Sequence, residues 1–324
     1  MMKIFQKLIC DAEPAYRQRS VQENGENRPR DIYDVMAVIA GKITKSDRYE
    51  YINSARATRE TLAISWAPSW RTLMLSVFGE NLFYLCWGVP RGGNAIVRAL
   101  KLLKLKLILR RSSLVFVNEE ATAQDVRWLA NVNPVTIPYV VDGTFFSLGD
   151  EKQRGPYVLV PGNNDRDEEL VRALALEGLR VVRVSRDHCI RDVYQRGDFP
   201  SRVEFHFNVP PHKVRDLYRG AMAVALPLAT DNHASGQTAI LEAISCGCPV
   251  VLSKGRTSTI FQDLPTVIVV EGRDLDTWNL NIERAFSMHI DNSKVLNASS
   301  EIIAKRHSPE AVAATMIESI LEHI

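Results

Sequence analysis

Long apolar runs are the first thing the sequence lacks. The nearest, Leu82–Pro90 and Ala221–Ala229, are about half the 18 or more residues that a membrane-spanning helix needs, so no transmembrane helix is expected. Met1–Asp11 carries two lysines, too short an apolar stretch and no small-residue cleavage pattern, so no secretion signal is read and a cytoplasmic setting is expected. An excess of one charge is also missing: 40 Lys+Arg against 38 Asp+Glu leaves +2, too balanced for a chain that holds nucleic acid by charge alone. Cysteine is sparse, and the five residues Cys10, Cys86, Cys189, Cys246 and Cys248 are odd in number and scattered, which excludes a disulfide framework and reads as buried thiols in a reducing compartment. The seven histidines form no His-Glu-x-x-His pattern, which removes support for metal catalysis. No Gly-x-Ser-x-Gly elbow is present, so a Ser/His/Asp hydrolase of the α/β type has no nucleophile.

What is there is 324 residues, about twice the ~150 of a usual domain, with 46% hydrophobic residues and enough chain for two cores. The second half alternates regularly. Short apolar runs at Pro156–Pro161, Leu179–Val184, Val203–Phe207, Ala221–Leu226, Pro249–Leu252 and Val267–Val270 read as strands. Helical spacing appears between them at Asp167–Glu177, Lys213–Arg219 and Gly236–Cys246. Strands without polar alternation, interleaved with helices, predict a parallel sheet covered on both faces. Asp274 suits a helix cap, and Ser308–Pro309 opens a last helix to Ile324. The first half alternates less regularly: strands are predicted at Asp31–Ala40, Thr61–Ser65, Asn81–Trp87 and Ser113–Val117. Helices are predicted near Asp47–Arg59, Ser69–Phe78, Asn94–Leu109 and Ala121–Leu129. The polar stretch Gly149–Gly155 reads as a linker.

One segment carries chemistry. In Asp231–Ser253, a helix predicted from about Ser235 places Ser235, Thr238 and Glu242 three and four residues apart on one face. It opens at a Gly-containing turn after a strand, where free backbone N–H groups and the positive end of the helix dipole suit a phosphate. Glu242 would accept hydrogen bonds from ribose hydroxyls. The alternative is that Ser235 only caps the helix and Glu242 is solvated. Asp165–Arg166–Asp167 and Asp274–Leu275–Asp276 have the form of metal-binding pairs but sit at a strand-to-helix turn and a helix start, and no metal is expected.

The same stretch resembles the donor site of retaining glycosyltransferases with the GT-B fold, in particular the family 4-like or group 1 set. The resemblance rests on Ser235–Gly236, Leu241–Glu242–Ala243 and Gly247–Cys248–Pro249–Val250–Val251. Ile137–Phe146 (IPYVVDGTFF) is similar to that family's interdomain segment, and Val203–Ala221 to its base-binding loop and following helix. The resemblance implies two facing Rossmann-like domains with an active-site cleft between them: an acceptor-side domain over 1–146, a donor domain over 147–307, and a last helix, 308–324, packing back on the first. It implies a nucleotide-sugar donor, UDP-, GDP- or dTDP-linked, and no further cofactor. The acceptor it implies is a saccharide or polyprenyl-linked saccharide, and the setting it implies is bacterial surface polysaccharide assembly.

Glu242 matches the second carboxylate of the family's Glu-seven-residues-Glu pair, while the first falls on Ala234, leaving His233, Ser235 or Gln237 as substitutes. Gly236, Gln237 and Thr238 would hold the diphosphate, Arg166 would neutralise it with Arg186 in support, and Asn208 and Val209 would meet the base. Arg166, Glu242 and His233 are thus the candidate catalytic side chains. A nucleotide-sugar epimerase, a phosphorylase and a non-catalytic sugar-nucleotide-binding subunit stay open beside this reading.

In the first half, Leu82–Gly93 runs from an apolar strand into Gly, Pro and Arg, similar to a Trp-Gly loop of glycosyltransferases that act on lipid-linked sugars. Trp87, Gly88 and Arg91 would face the acceptor. From Asn81 to Asn118 there is no acidic residue, whereas Arg91, Arg98, Lys101, Lys104, Lys106, Arg110 and Arg111 are basic. With the leucines between them, residues 91–111 are a candidate peripheral membrane contact on the cytoplasmic face, although the basic residues do not gather on one side of a helical wheel.

Overall fold

The computed structural model describes residues 5, 7–10, 28–45, 48–51, 61–78, 81–149, 154–163, 165–197, 199–230, 234–291 and 293–324. They fall into two compact units, one built on residues 30–140 and 309–324 with the strand at 7–10, the other on 141–308. Each unit is a parallel six-stranded sheet with helices on both faces, the α/β class expected from uninterrupted apolar strands.

The first unit runs β1 (Lys7–Cys10), α1 (Ile32–Ile43), β2 (Tyr49–Tyr51), β3 (Thr61–Ser65), α2 (Trp70–Phe78), β4 (Leu82–Cys86), α3 (Ala95–Arg111), β5 (Leu114–Val117), α4 (Glu120–Ala130) and β6 (Val135–Thr136). Its sheet order is β2-β1-β3-β4-β5-β6. The second continues with β7 (Val158–Pro161), α5 (Glu168–Leu176), β8 (Val181–Ser185), α6 (His188–Gln195), β9 (Val203–Phe207), α7 (Pro211–Gly220), β10 (Ala223–Leu226), α8 (Gln237–Ser245), β11 (Val250–Ser253), α9 (Ser258–Phe261), β12 (Val267–Val270), α10 (Leu275–Asp291) and α11 (Ser293–His307). The last helix, α12 (Pro309–His323), belongs to the first unit.

Two expectations are corrected. Residues 31–40 are not a strand but the start of α1. Asp31 caps the helix by accepting from Tyr33 N while Asp34 reaches back to Asp31 N, and this reciprocal box fixes the first turn. Val35, Met36, Ile39, Ala40 and Ile43 then fall on one buried face. The helix expected over Asp47–Arg59 is replaced at Tyr49–Tyr51 by β2, which pairs in parallel with β1 (Ile9↔Glu50); Asp47 and residues 52–60 lie outside the described residues. The proposed linker is described only at Gly149, Arg154 and Gly155. Arg154 is tied into the second unit by donating to Ala221 O (2.9 Å) and Gly247 O (2.9 Å).

Sheet order positions the site. Read from its own first strand, the second sheet is β9-β8-β7-β10-β11-β12, the doubly wound arrangement in which the chain steps outward over three strands and then returns to the other side of β7. The loops after β7 and β10 therefore leave in opposite directions and open a crevice at their carboxyl ends, the usual place for a ligand in such a sheet. Helix α10 closes one face through Trp278 and Ile282, buried with Val160, Leu170, Ala225 and Val251.

In the first unit, α12 places Val312, Met316, Ile317 and Ile320 in one core with α1 and with Leu62, Phe83 and Phe116 of the sheet. Met316 is fully buried, so Met316→Ala is expected to cost about 2–5 kcal/mol. In urea denaturation followed by segment-resolved hydrogen exchange, that loss should appear in β3, β4 and α1 and leave β7–β12 unchanged.

Candidate functional site

At the switch point the chain leaves β7 through Gly162, and the loop is stitched to the one that follows β10. Asp167 N donates to Pro227 O (2.8 Å), Ala229 N donates to Asp165 O (2.9 Å), and Arg166 forms an isolated antiparallel bridge with Leu228. Asp165 holds a left-handed backbone (φ 54°) and its carboxylate accepts from the Ser235 hydroxyl at 2.6 Å. Thr257 in turn donates its hydroxyl to Ser235 O (2.7 Å). Ser235 therefore neither caps α8 nor lies on its face, as the sequence reading had it. The helix begins two residues later, with Gly236 as its N-cap in the left-handed region (φ 86°) and so with no N-cap side chain to bond the first turn. The N-cap thus supplies no side chain to the leading N–H groups of α8, an arrangement that favours an anion.

Beside that helix end lies a buried cation. Arg166 is 8% exposed, and its Nε donates to Pro161 O (2.8 Å). The guanidinium sits against the backbone of Gly162, where a β-carbon would clash with it, and a β-carbon at Gly236 would come within 3.5 Å. Burial, and then the charge of Arg183, lower its pKa to about 10, so Arg166 remains a cation at neutral pH. Arg183 is fully buried, but its charge is matched: it grips Glu168 (Nη2 to Oε1, 2.7 Å) and donates to Gly162 O and Val184 O, both at 2.6 Å. Tyr194 completes the pair by donating to Glu168 Oε2 (2.6 Å). Arg166 and the α8 terminus thus both bring positive charge to the crevice.

Glu242, in the second turn of α8, is half-buried. It accepts from the Tyr218 hydroxyl at 2.9 Å and is not the solvated position of the alternative reading. Desolvation pushes its carboxyl up to about 7, against the lowering effects of the Tyr218 bond and the charge of Arg186. Arg186 is exposed at the end of β8, and its N–H donates to Asn163 Oδ1 (2.6 Å), which links the loops after β7 and β8. Gln237 is 5% exposed, and its Oε1 accepts no hydrogen bond from the described residues, so a buried acceptor waits beside the first turn of α8. Thr238 is exposed on the same turn. Asn208, with a left-handed backbone (φ 52°), and Val209 follow β9, next to the Phe207 ring that carries Arg191 at 5.2 Å.

Residues 168–287 match a family model described as Glycosyl transferases group 1. The match spans 120 of the 324 residues, all of them in the second unit. No curated protein matches the sequence. Among solved structures, the chain is similar to HepE of Anabaena, determined with UDP, with UDP and glucose, and with UDP-glucose. The TM-score is 0.73 at 12% identity, over 98% of this chain and 100% of that one. It is also similar to sucrose-phosphate synthase from Thermosynechococcus elongatus (0.66, 15% identity, 81% of this chain and 73% of that one). A glycosyltransferase from Rickettsia africae gives 0.66 at 12% identity over 98% of each chain. These likenesses show the fold, which is GT-B as the resemblance implied.

The second unit brings Arg166, Ser235, Gly236, Gln237, Thr238, Glu242 and Arg186 to one end of its sheet. His233 lies outside the described residues. Asp165 and Asp167 are committed elsewhere, Asp165 to Ser235 and Asp167 to the cap of α5 and to Arg273 (2.6 Å). Cys246 and Cys248 are free and buried, and burial raises both thiols, Cys248 to about 12. Trp87, Gly88 and Arg91 belong to the other unit. The Trp87 ring lies 5.2 Å from Tyr139, and Arg91 pairs with Asp125 at 2.8 Å. Sequence reasoning missed Gly162, Tyr218 and the Arg183–Glu168–Tyr194 cluster. A lone arginine inside the apolar strand VVRVS was the available sign of that cluster.

Because the native pKa of Glu242, about 7, lies above its ordinary 4.5, the native state holds the extra proton between those values. Its contribution to stability is complete below the lower value and is lost as pH rises through 7. Carboxyl-carbon NMR of Glu242 should titrate near 7. Tyr218→Phe, which removes a bond that lowers the pKa, should move that midpoint upward, and Glu242→Gln should flatten the fall in stability between pH 5 and 7.

Proposed function

We propose that the protein is a retaining, metal-independent glycosyltransferase. It would move a sugar from a nucleotide-diphosphate donor to a saccharide or polyprenyl-linked saccharide in bacterial surface or exopolysaccharide assembly. The observation that carries this reading is the meeting of the buried Arg166 side chain and the glycine-capped start of α8 at the switch point of the second sheet. Departure of a nucleoside diphosphate puts negative charge on its phosphates, and donors already held in place stabilise that charge without reorganising. In this reading Arg166 and the N–H groups of Gln237 and Thr238 take the diphosphate, and Arg186 takes its outer side. They supply the charge that a divalent cation would otherwise bring.

Glu242, held by Tyr218, accepts from the ribose hydroxyls. Asn208 and Val209 meet the base. The Gln237 Oε1 atom accepts from a hydroxyl of the transferred sugar and takes over from the carboxylate that Ala234 lacks. Rate then comes from positioning and charge stabilisation, with no protein nucleophile assigned. UDP is favoured as the donor nucleotide because HepE was determined with it. The acceptor meets Trp87, Gly88 and Arg91. A lipid-linked acceptor also requires peripheral membrane contact, assigned here to residues 91–111.

Calorimetric titration of the whole chain with UDP, GDP and dTDP is the test. UDP should bind, and Glu242→Gln or Arg186→Ala should each weaken it about tenfold, the equivalent of losing one charge-assisted hydrogen bond. A folded protein that binds none of the three overturns the reading. Binding without transfer from UDP-glucose to any acceptor reassigns it to a non-catalytic subunit. Product NMR should show the donor's anomeric configuration kept, and inversion would remove the retaining assignment.

A further inference from the structure

Helix α3 is apolar on two opposite faces. Toward the unit, Leu105, Ile108 and Leu109 are buried with Tyr84, Val115 and Val126. At 3.6 residues per turn, Ile96, Leu100, Leu103 and Leu107 fall in one narrow stripe on the far side of the helix. All four are exposed, Ile96 by 72% and Leu100 by 62%. This second stripe explains why the basic residues do not gather on one side of the wheel: Lys104 and Arg111 line one edge and Lys106 and Arg110 the other. From Ala95 to Lys101 every residue is exposed, so the first two turns stand clear of the core.

Helix α2 extends the same kind of surface. Trp70, Met74 and Val77, spaced four and three apart, are exposed by 73%, 54% and 42%, and Lys104 Nζ lies 5.7 Å from the centroid of the Trp70 ring. Neither α2 nor the stretch from Asn81 to Asn118 contains an acidic residue. An apolar patch of this extent on a water-facing surface marks an interaction site.

We propose that α2 and α3 together form a docking surface for an anionic lipid bilayer. The leucine stripe and Trp70 would enter the interface, with the Lys and Arg edges against the headgroups. The proposal rests on the glycosyl-transfer reading only in giving the membrane a reason to be there. Charge selects the partner. A second copy would set Lys104, Lys106, Arg110 and Arg111 against their own kind, whereas an anionic bilayer neutralises them while taking up the apolar stripe. Among the described residues no helix is long and apolar enough to cross a membrane, so the contact is peripheral.

Flotation of the whole chain with phosphatidylcholine vesicles, with and without about 30% phosphatidylglycerol, tests this. The protein should float with the anionic vesicles and stay behind with phosphatidylcholine alone, and raised salt should release it. Leu100→Glu with Leu103→Glu, and separately Lys104→Glu with Arg111→Glu, should each cut vesicle binding at least about tenfold. All four are surface positions, so circular dichroism and UDP titration of the variants should match the parent. Retained UDP binding separates failure of this surface from failure of the donor site. The proposal is overturned if the parent does not float with anionic vesicles, or if it floats equally well with the leucine stripe replaced. It is also overturned if light scattering shows a dimer that Leu100→Glu with Leu103→Glu dissolves, which would make the face an interface between copies.

Discussion

A guanidinium held in the interior at the end of β7 sets the terms for the second unit. Taking an ion out of water costs several kcal/mol unless neighbours compensate, and Arg183 close by adds repulsion. The fold answers with the Pro161 carbonyl on Nε, with Glu168 locked onto Arg183, and with Asp165 held in place by Ser235. Room for the group comes from the missing side chain of Gly162. Sheet order does the rest, since only between β7 and β10 do the two loops diverge enough to leave such a cation facing a helix start. The site is therefore a property of topology and charge together.

How much of this the sequence showed depends on which signal each element carries. The second unit was legible because its strands are uninterrupted apolar runs and its helices start at strong caps such as Asp167 and Asp274. Helix α1 was not, because Ile32–Ile43 is apolar at nearly every position and rich in β-branched residues, so the helical period is blurred. Only the Asp31–Asp34 box marked it. Helix α11 went unread because its sequence is mostly polar, although Leu296 and Ile303 are buried and Ser300 donates to Ser245 O of α8 (2.8 Å). In the site, the segment around Glu242 was readable from local spacing. Its partner Tyr218, 24 residues earlier, is brought to it only by the packing of α7 on α8. Placing Ser235 on the helix failed because Gly236 in the left-handed region turns the chain before α8 starts.

The balance of charge over the whole chain conceals two local positive features of different kinds. In the second unit the buried Arg166 works at short range inside a crevice. In the first, lysines and arginines border an apolar stripe on α3 and act only near a surface, within a screening length of about 10 Å. Helix α3 also shows why a helical wheel alone was misleading: a helix with one apolar face for its core and another for a partner has no single polar side.

Hydrogen exchange of the whole chain with and without saturating UDP tests the central claim most directly. If the crevice between β7 and β10 holds the diphosphate, protection should rise in residues 162–167 and 235–242 and stay unchanged in the first unit. Protection confined to other segments, or none at saturation, would contradict it.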